Sequence, residues 1–507
     1  MDDQPYDLVI VGLGPVGAAA ANLAGTHGLR CLAVDQADEV YALPRAIHFD
    51  AEIMRIFQYA GLAEEIEPLT RPSTGSVHLG MDHEPIRRFL VPPGPGDLGW
   101  RPHYMFYQPQ LEAFLRRRAA ERVEVQTGWA CTGFVQDGDG VTTTLQAAGG
   151  TQRVVRSRYL LGCDGATSTV RRQLRAPLFD FGFEEPWIIV DTLAPSEELG
   201  PDNMIMYCDP QRPGTYVPGP GRHRRWEFML LDGDDHDELR SPAGLRRLIQ
   251  PVTDWVDVSD LEIVRSAIYR FHGLVGRQWS DGRVFLAGDA IHQTPPFYAQ
   301  GMCHGIRDVH NLLWKLRLIL SGAASAALAD SYQPEREPHV HAIIGAAIEN
   351  GRYICVLDRA EAQARDARYR GLLEAGADVG SFRGVIPPLT AGLLNAPGAP
   401  PCGQLLPQPV VDGVRLDDRL GPGFALVSSA DVDAGRIPVW FTSVLGGRIV
   451  TQADALAPWF AEHRCAAALV RPDRYVFGLA PGAEDAEALV ERLGVQLGIP
   501  AGSRAAA

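Results

Sequence analysis

Short apolar runs, separated by glycines and small residues, open the chain. Residues Tyr6–Val11 (YDLVIV) and residues 30–34 (RCLAV) are compact and apolar, as is typical of strands buried on both faces of a parallel sheet. The small residues at 17–24 lie between them and predict a closely packed helix. The pattern therefore predicts a strand–helix–strand unit at the start of the chain.

The pattern changes in the middle of the chain. Residues 203–208, 214–217 and 225–231 look like sheet strands separated by proline and glycine turns, which predicts an inserted sheet covering a ligand. A buried strand returns at 283–287 (RVFLA). From Gly305 onward, apolar side chains recur at helical spacing and predict a helix that ends near residue 321: Ile306, Val309, Leu313, Leu316 and Leu320.

The last quarter of the chain follows a stretch rich in proline and glycine at 387–409, which we interpret as a linker. The segment beyond it contains predicted strands at 424–427, 439–444 and 467–470 and a helix at 483–493. We predict a first part of a dinucleotide-binding domain at 1–176, with a substrate-side excursion near 71–100. An inserted substrate-binding sheet at 177–280, the second part of the first domain at 281–390 and a C-terminal domain at 391–507 complete the division.

Composition narrows the class of protein. A chain of 507 residues suits two or three domains, and 53 glycines with 38 prolines favour an α/β enzyme rich in loops. The net charge of −15 argues against nucleic acid and anionic membranes as partners, although one local arginine could still hold a small anion. No apolar run approaches a membrane span and no basic segment opens the chain, so we expect a cytoplasmic protein.

Eight cysteines stand far apart in the sequence, without a CxxC pair or a zinc-knuckle spacing. We expect reduced, mostly buried thiols and no metal site.

A GxGxxG turn, Gly12-Leu13-Gly14-Pro15-Val16-Gly17, joins the first strand to the first helix. In this motif Gly12 permits the tight turn, Gly14 lets a pyrophosphate approach the backbone, and Gly17 lets the helix pack on the strand. The helix N-terminus offers free N–H groups to phosphate. Asp35, which closes the second strand, suits a ribose hydroxyl. Dinucleotide binding is the prediction, and a glycine-rich turn without a ligand is the alternative.

Two later segments favour FAD over NAD as that dinucleotide. Gly288-Asp289 follows a strand, so Asp289 could bond a ribityl or phosphate-linked hydroxyl. The helix from Gly305 would direct its positive end at an isoalloxazine ring and stabilise negative charge on the reduced flavin. The segment 163–171, which contains Asp164 and Arg171, also follows a strand; its alternative interpretation is a turn with a surface arginine.

The GxGxxG turn, Asp164-Gly165 and Gly288-Asp289 occur in the order found in the class A flavoprotein aromatic monooxygenases, which this chain resembles over essentially its whole length. Further segments resemble the 3-(3-hydroxyphenyl)propionate hydroxylase branch: Pro44-Arg45-Ala46, Tyr107-Gln108-Pro109-Gln110-Leu111-Glu112, Cys208-Asp209-Pro210, Arg225-Trp226-Glu227-Phe228-Met229, Gln300-Gly301-Met302, Gly305-Ile306-Arg307-Asp308 and Arg471-Pro472-Asp473-Arg474. One departure is Ala299, where the family often has glycine; a Cβ there could restrict flavin movement or reshape the pocket.

The resemblance implies an α/β protein with a glutathione-reductase-type, Rossmann-like FAD domain, an inserted β-sheet substrate domain and a thioredoxin-like C-terminal domain. The absence of a CxxC pair implies that this last domain is structural. By resemblance the FAD-binding residues are Gly12, Gly14, Gly17, Asp35, Arg45, Gln108, Asp164, Asp289, Gly301 and Met302.

The activity implied by the resemblance is hydroxylation of a phenolic ring with NADPH or NADH and O₂ through a C4a-hydroperoxyflavin. The reductant would bind transiently, because the sequence has no second GxGxxG. Since a phenol titrates near a pKa of about 10, a base would assist. The candidates are His48, Asp50, His292 and Tyr298, each with a structural alternative: Asp50 suits the N-cap of a helix at 51–59, and His292 could cap a turn. Tyr207, Tyr216 and Arg225 are candidate substrate contacts, although alternation alone does not assign their face.

Several functions remain open. The leading one is hydroxylation of 3-(3-hydroxyphenyl)propanoate or a hydroxycinnamate, by a chain that we consider a candidate homodimer. The same chemistry on a larger phenol or polyketide intermediate is a second, and a non-catalytic dinucleotide-binding scaffold is a third. A flavin halogenase is disfavoured because the sequence contains no WxWxIP segment.

Overall fold

The computed structural model describes residues 4–42, 45–376, 386–429 and 432–499. Pro44 of the Pro44-Arg45-Ala46 segment and the alanine-rich terminus lie outside the described residues. Within the described ranges, no helix is both long enough and apolar enough to cross a membrane. The chain has an α/β fold with mixed sheets.

The first sheet forms around the predicted strand–helix–strand unit. Its strands lie in the order Ser280–Asp281, Val284–Leu286, Gln152–Gly162, Tyr6–Val11, Cys31–Val34 and Glu124–Gln126, and Trp129–Gln136 and Val141–Ala147 extend it beside Gln152–Gly162. Its central pairs are parallel, and the helices Pro15–Thr26 and Gly301–Leu320 pack together against it. The predicted strands at the start of the chain and the predicted helix at 17–24 are therefore confirmed.

The predicted start of the helix after residue 300 is wrong by four residues. This helix begins at Gly301, because the N–H of His304 already bonds to the carbonyl of Gln300. The residues before Gly305 have no apolar period, so the sequence pattern missed the first turn.

Among the described residues, a second sheet also contains eight strands. Its strands lie in the order His292–Gln293, Glu262–Gly276, Leu178–Leu193, His223–Met229, Gly214–Pro218, Met204–Tyr207, Gly75–Leu79 and Pro85–Leu90. The last two come from the early part of the chain, and Gly75–Leu79 pairs in parallel with Met204–Tyr207. This pairing brings residues from both parts of the chain to one surface.

A third sheet forms the core of the C-terminal segment, in the order Arg448–Val450, Ala425–Ser428, Ala467–Val470 and Val476–Ala480. The predicted strand at 439–444 is wrong, since Val439–Ser443 is a helix. Trp440 and Phe441 are both buried in one apolar cluster. Neighbouring side chains of a strand point to opposite faces, whereas a helix can turn both towards one core.

The remaining elements connect these sheets. A small sheet pairs His48–Asp50 and Thr70–Pro72 with His103–Phe106, and Val410–Val411 pairs with Val414–Arg415. The remaining α-helices are Ala51–Tyr59, Ala63–Ile66, Gln108–Ala120, Thr169–Leu174, His236–Arg240, Pro242–Ile249, Tyr332–Ile354, Arg359–Glu374, Leu416–Leu420, Ala457–Glu462 and Ala486–Leu497.

Candidate active site

The glycine turn has one position that faces open space and two that the chain itself requires. A Cβ on Gly12, whose φ is +97°, would lie 2.4 Å from the carbonyl oxygen of Cys163. A Cβ on Gly17 would lie 1.8 Å from the carbonyl oxygen of Gly12. At Gly14, by contrast, no other described atom lies within 4 Å of the Cβ position. Gly12 and Gly17 therefore permit the fold, while Gly14 borders room for a ligand.

The start of the first helix is suited to an anion. Gly14 provides no side-chain cap, so the first N–H groups of Pro15–Thr26 have no side-chain acceptor there. Asp35 lies beside the turn, where its Oδ2 accepts from the N–H of Leu13 at 2.6 Å and its Oδ1 accepts from the N–H of Ala37 at 2.8 Å. A carboxylate accepts about four hydrogen bonds, so Asp35 can still bond a hydroxyl.

The second segment meets the turn from the neighbouring strand. Asp164 accepts from the hydroxyl of Ser168 and from the N–H of Thr169 at 2.7 Å, and it thereby orders the start of the helix Thr169–Leu174. Arg171 donates to the carbonyl of Ala290 at 2.8 Å. This bond ties the second segment to the third.

The third segment presents an unengaged carboxylate. Asp289 lines the cavity described below, and within the described chain no hydrogen bond ends on its carboxylate. Burial raises the pKa of Asp289, while the charges of His292 and Arg45 act in the opposite direction. His292 itself is bonded to Asp308 at 2.6 Å, and Asp308 also accepts from the N–H of Gly288 at 3.2 Å. This predicted catalytic histidine therefore holds the turn in place.

The loop before Gly301 is fixed by buried polar side chains. Gln300 donates from Nε2 to Asp50 Oδ2 at 3.1 Å and accepts at Oε1 from Arg307 Nη1 at 2.9 Å. Ala299 has a φ of +51°, in the left-handed region where an L-residue is strained and glycine is favoured. The helix then begins without a side-chain cap, so its positive end faces the loop.

All three segments line one cavity of about 290 Å³. Gln108 Oε1 accepts from the N–H groups of Arg45 and Ala46 at 2.8 and 2.7 Å, and Arg225 donates to the carbonyl of Arg45 at 2.7 Å. We call this cavity the larger cavity, to distinguish it from a smaller one beside it. The residues that line it include Gly14, Arg45, Gln108, Cys163, Gly165, Glu227, Arg225, Asp289, Gly301 and Met302. The open cradle at Gly14, two uncapped helix N-termini and the unengaged Asp289 carboxylate fit FAD.

A smaller cavity of about 90 Å³ adjoins the larger one, and the two share Met204, Met206, Pro296, Phe297 and Ala299 as wall residues. The smaller cavity is otherwise lined by His48, Ser73, Gly75, Ser76, His78, Arg87, Phe89, His103, Met105, Tyr298 and Asn350. Two of the predicted catalytic residues, His48 and Tyr298, thus reach this cavity.

Comparison with known proteins decides the family. The model of the FAD binding domain matches residues 5–347. The chain belongs to the class A FAD-dependent aromatic monooxygenases. A probable NADH-specific resorcinol 4-hydroxylase of Rhodococcus jostii (strain RHA1) is 36% identical, over 97% of this chain and 95% of the relative. A 3-(3-hydroxy-phenyl)propionate/3-hydroxycinnamic acid hydroxylase of Burkholderia cenocepacia (strain HI2424) is 33% identical, over 92% of this chain and 93% of the relative.

Solved structures share the fold of this aromatic hydroxylase. The flavin-dependent monooxygenase PieE, in complex with FAD and substrate, has a TM-score of 0.82 at 22% identity, over 99% of this chain and all of that one. Aklavinone-11 hydroxylase, in a ternary complex with FAD and aklavinone, has a TM-score of 0.77 at 20% identity, over 98% of this chain and all of that one.

Other candidate residues of the hydroxylase lie away from the smaller cavity. Asp50 caps the helix Ala51–Tyr59, as its structural alternative predicted, and pairs with Arg307 at 2.5 Å. Tyr207 and Tyr216 are buried in the sheet core and line neither cavity: Tyr207 bonds to the carbonyl of Val252, and Tyr216 packs on Trp226. Arg225 lines the larger cavity and pairs with Asp191 at 2.8 Å.

The residues of the smaller cavity that sequence reasoning missed include His78, Arg87, Phe89, His103 and Asn350. They come from four elements: three strands between residues 75 and 106, and the distant helix Tyr332–Ile354. The one available signal was the predicted substrate-side excursion near 71–100, because that stretch contains three of them.

Proposed function

We propose that this flavoprotein hydroxylates a single-ring phenol with NADH and O₂. The observation that supports this most directly is the size of the smaller cavity, about 90 Å³, beside the larger cavity that fits FAD. Space of that size has room for at most one aromatic ring and disfavours the larger phenol or polyketide intermediate. The names of the curated relatives, hydroxylases of resorcinol and of 3-(3-hydroxyphenyl)propionate, agree with this substrate class.

In this proposal the larger cavity holds FAD. The residues that would hold it are Gly12, Gly14, Gly17, Asp35, Arg45, Gln108, Asp164, Asp289, Gly301 and Met302. Bound FAD would supply the redox chemistry, accepting reducing equivalents from NADH and activating O₂. The uncapped start of the helix Gly301–Leu320 would stabilise negative charge on the reduced ring, and the apolar walls contributed by Met204, Met206 and Phe297 would exclude water.

His48 is the residue that we propose to accept a hydrogen bond from the phenolic hydroxyl. Burial and the neighbouring His103 lower the pKa of His48 to about 3, with Asp50 acting in the opposite direction, so the ring is neutral near pH 7. Its Nδ1 is buried and makes no hydrogen bond to the described residues. A phenol in the smaller cavity would provide a donor for such an acceptor. Tyr298, on the same cavity wall, is a second candidate contact.

Arg87 supports a particular member of this substrate class. Its guanidinium lines the smaller cavity, 3.5 Å from Asn350 Oδ1 and over the ring of Tyr353. An arginine there can bind a carboxylate, which 3-(3-hydroxyphenyl)propanoate and hydroxycinnamates carry and resorcinol lacks. We therefore propose a phenylpropanoid acid as the first substrate to test and resorcinol as the second.

The deciding experiment measures NADH and NADPH oxidation by the FAD-loaded enzyme, together with hydroxylated product and peroxide. The panel comprises 3-(3-hydroxyphenyl)propanoate, 3-hydroxycinnamate, resorcinol and a polycyclic phenol. Product from a single-ring phenol, faster with NADH, is the expected result. Oxidation with peroxide alone would identify a pseudo-substrate, and no response to any phenol would refute the proposed activity.

A matched variant assigns the substrate. If the carboxylate lies on Arg87, Arg87→Met should raise KM for the phenylpropanoid acid about tenfold or more and leave KM for resorcinol within about twofold, because a charge-assisted hydrogen bond contributes about 1.5–3 kcal/mol. Equal changes in KM for both substrates would show that the carboxylate of the phenylpropanoid acid does not bind to Arg87.

Finer features of the architecture belong to the same proposal. We propose that residues 391–507 form a thioredoxin-like domain without redox activity. Support comes from its sheet, in which Ala425–Ser428 pairs in parallel with Arg448–Val450 and antiparallel with Ala467–Val470, and from the wide spacing of the cysteines. The domain boundaries given above, the cytoplasmic location and the homodimer stay predictions.

A further inference from the structure

The connection between the last two strands of the C-terminal sheet is buried, although hairpin connections normally face solvent. This connection, Arg471-Pro472-Asp473-Arg474-Tyr475, joins Ala467–Val470 to Val476–Ala480, and all five of its residues are buried. We call it the 471–475 turn. It includes the Arg471-Pro472-Asp473-Arg474 segment of the sequence analysis and belongs to neither cavity described so far.

The first half of the 471–475 turn is anchored on two long helices of the FAD-binding part. Arg471 Nη2 lies 2.6 Å from Glu335 Oε2 on the helix Tyr332–Ile354. Asp473 Oδ2 accepts from Asn311 Nδ2 at 3.2 Å and from Trp314 Nε1 at 3.1 Å on the helix Gly301–Leu320. These buried, charged contacts give the turn one orientation on the helix whose N-terminus faces the flavin cavity.

The last residue of the turn reaches towards the loop before Gly301. The hydroxyl of Tyr475 donates to Glu52 Oε1 at 3.0 Å, and Arg307 Nε donates to Glu52 Oε2 at 2.6 Å. Arg307 in turn donates to Gln300 Oε1 at 2.9 Å. Burial, assisted by the Glu52 carboxylate, raises the pKa of Tyr475 well above its usual value, so the phenol stays protonated and remains the donor.

We infer that Tyr475 is a positioning residue that sets the geometry of the flavin-facing loop through Glu52, Arg307 and Gln300. Ala299, next to Gln300, has a strained left-handed backbone, so the loop needs such external support. A third cavity of about 930 Å³ is bordered by Tyr475, Glu52 and Arg307, so hydrogen bonds help to hold these buried side chains in place beside it. The inference rests on the FAD site and is independent of the phenol.

The test replaces single hydroxyl groups at the contact between the two parts of the chain. Tyr475→Phe removes the donor to Glu52. Tyr59→Phe is the matched control, because the hydroxyl of Tyr59 donates across the same contact to the carbonyl of Pro422 at 2.7 Å but has no bond to the Gln300 chain. Thermal melting of both variants measures how much stability each hydroxyl contributes. The readout is the rate of FAD release from the diluted holoenzyme, followed by flavin fluorescence, together with the absorbance spectrum of the bound flavin.

We expect Tyr475→Phe to release FAD about three- to tenfold faster and to shift the flavin spectrum, with Tyr59→Phe unchanged in both, since the net effect of one buried hydrogen bond corresponds to that range. Adding Tyr475→Phe to Gln300→Met should produce no further increase, because both act through one chain of contacts. Equal release from the two tyrosine variants, or additive effects with Gln300→Met, would overturn the inference. If Tyr475→Phe does not fold, Glu52→Gln is measured against Tyr59→Phe by the same criteria. A failure of phenol hydroxylation would leave these readouts unaffected.

Discussion

The Nε2 atom of His48 lies 2.9 Å from the Nδ1 atom of His103, and both rings line the smaller cavity. The sequence separates them by 55 positions, and pairing of His48–Asp50 with His103–Phe106 brings them together. Burial lowers the pKa of both rings, so one neutral imidazole donates to the other. When Nε2 of His48 donates in this pair, Nδ1 of His48 carries no proton and is the nitrogen that can accept a hydrogen bond.

This relationship predicts the result of replacing His48. His48→Asn should lower kcat/KM for the phenolic substrate about three- to tenfold, because it disturbs one hydrogen bond to the phenolic hydroxyl, while FAD content stays normal. His27→Asn is a suitable control, because His27 is also held neutral by burial and lines neither cavity. Steady-state kinetics with product detection measures the difference. Unchanged kcat/KM for His48→Asn would remove this residue from the reaction.

The glycine turn offers a second pair of matched variants. Gly14→Ala should fold normally but bind FAD at least tenfold more weakly, because its methyl group enters space that the chain leaves to the ligand. Gly17→Ala should reduce folded protein as well, because its methyl group would overlap the carbonyl of Gly12. FAD content and thermal melting separate the two cases. Tight FAD binding by Gly14→Ala would place the pyrophosphate elsewhere.

Replacement of Asp289 should weaken FAD binding and leave the stability of the fold unchanged. No hydrogen bond within the described chain ends on its carboxylate, so Asp289→Ala breaks no internal hydrogen bond, and the apoprotein should keep its melting temperature. FAD affinity should fall about tenfold or more, the usual effect of losing a charged hydrogen bond. Asp289→Asn keeps an acceptor oxygen, so its FAD affinity should lie between that of the unchanged protein and that of Asp289→Ala. Unchanged FAD occupancy in Asp289→Ala would show that the third segment does not bind the cofactor.

Buried histidines should make the fold sensitive to mild acid. Burial lowers the pKa of His27, His48 and His78 to about 3 and that of His310 to about 4. The unfolded chain binds protons near pH 6.5 whereas the native chain does not, so the free energy of unfolding should fall as the pH drops from about 6.5 to about 4. Each such histidine contributes up to about 1.4 kcal/mol per pH unit in that window.

Urea titrations at several pH values measure this dependence. His27→Gln should reduce the slope of the free energy of unfolding against pH, because it removes one of the buried histidines. A flat pH dependence above pH 5 would contradict the prediction.

The parts of the fold and of the site that the sequence predicted correctly depend on residues that are close together in the chain. Gly12 and Gly17 are needed by the chain itself, and the strand, turn, helix and closing Asp35 are contiguous, so their pattern is legible without a structure. The two later segments, with Asp164 and Asp289, could be recognised for the same reason, because each directly follows a buried strand. The helix at Val439–Ser443 could not be predicted from the sequence, because its apolar residues show no helical period. Trp440 and Phe441 both pack into one core that forms only in the tertiary structure.

The sequence by itself predicted that three separated segments meet at one dinucleotide site under a sheet, because each prediction depends on residues adjacent in the chain; in the structure all three segments and the sheet line one cavity. Only the tertiary structure decided the composition of the smaller cavity. Alternation in the strands could not tell that Tyr207 and Tyr216 face the sheet core, nor that His48 meets His103. The face of the sheet on which a side chain lies, and the distance between two side chains, depend on how whole sheets pack. That packing is set by contacts spread over the entire chain.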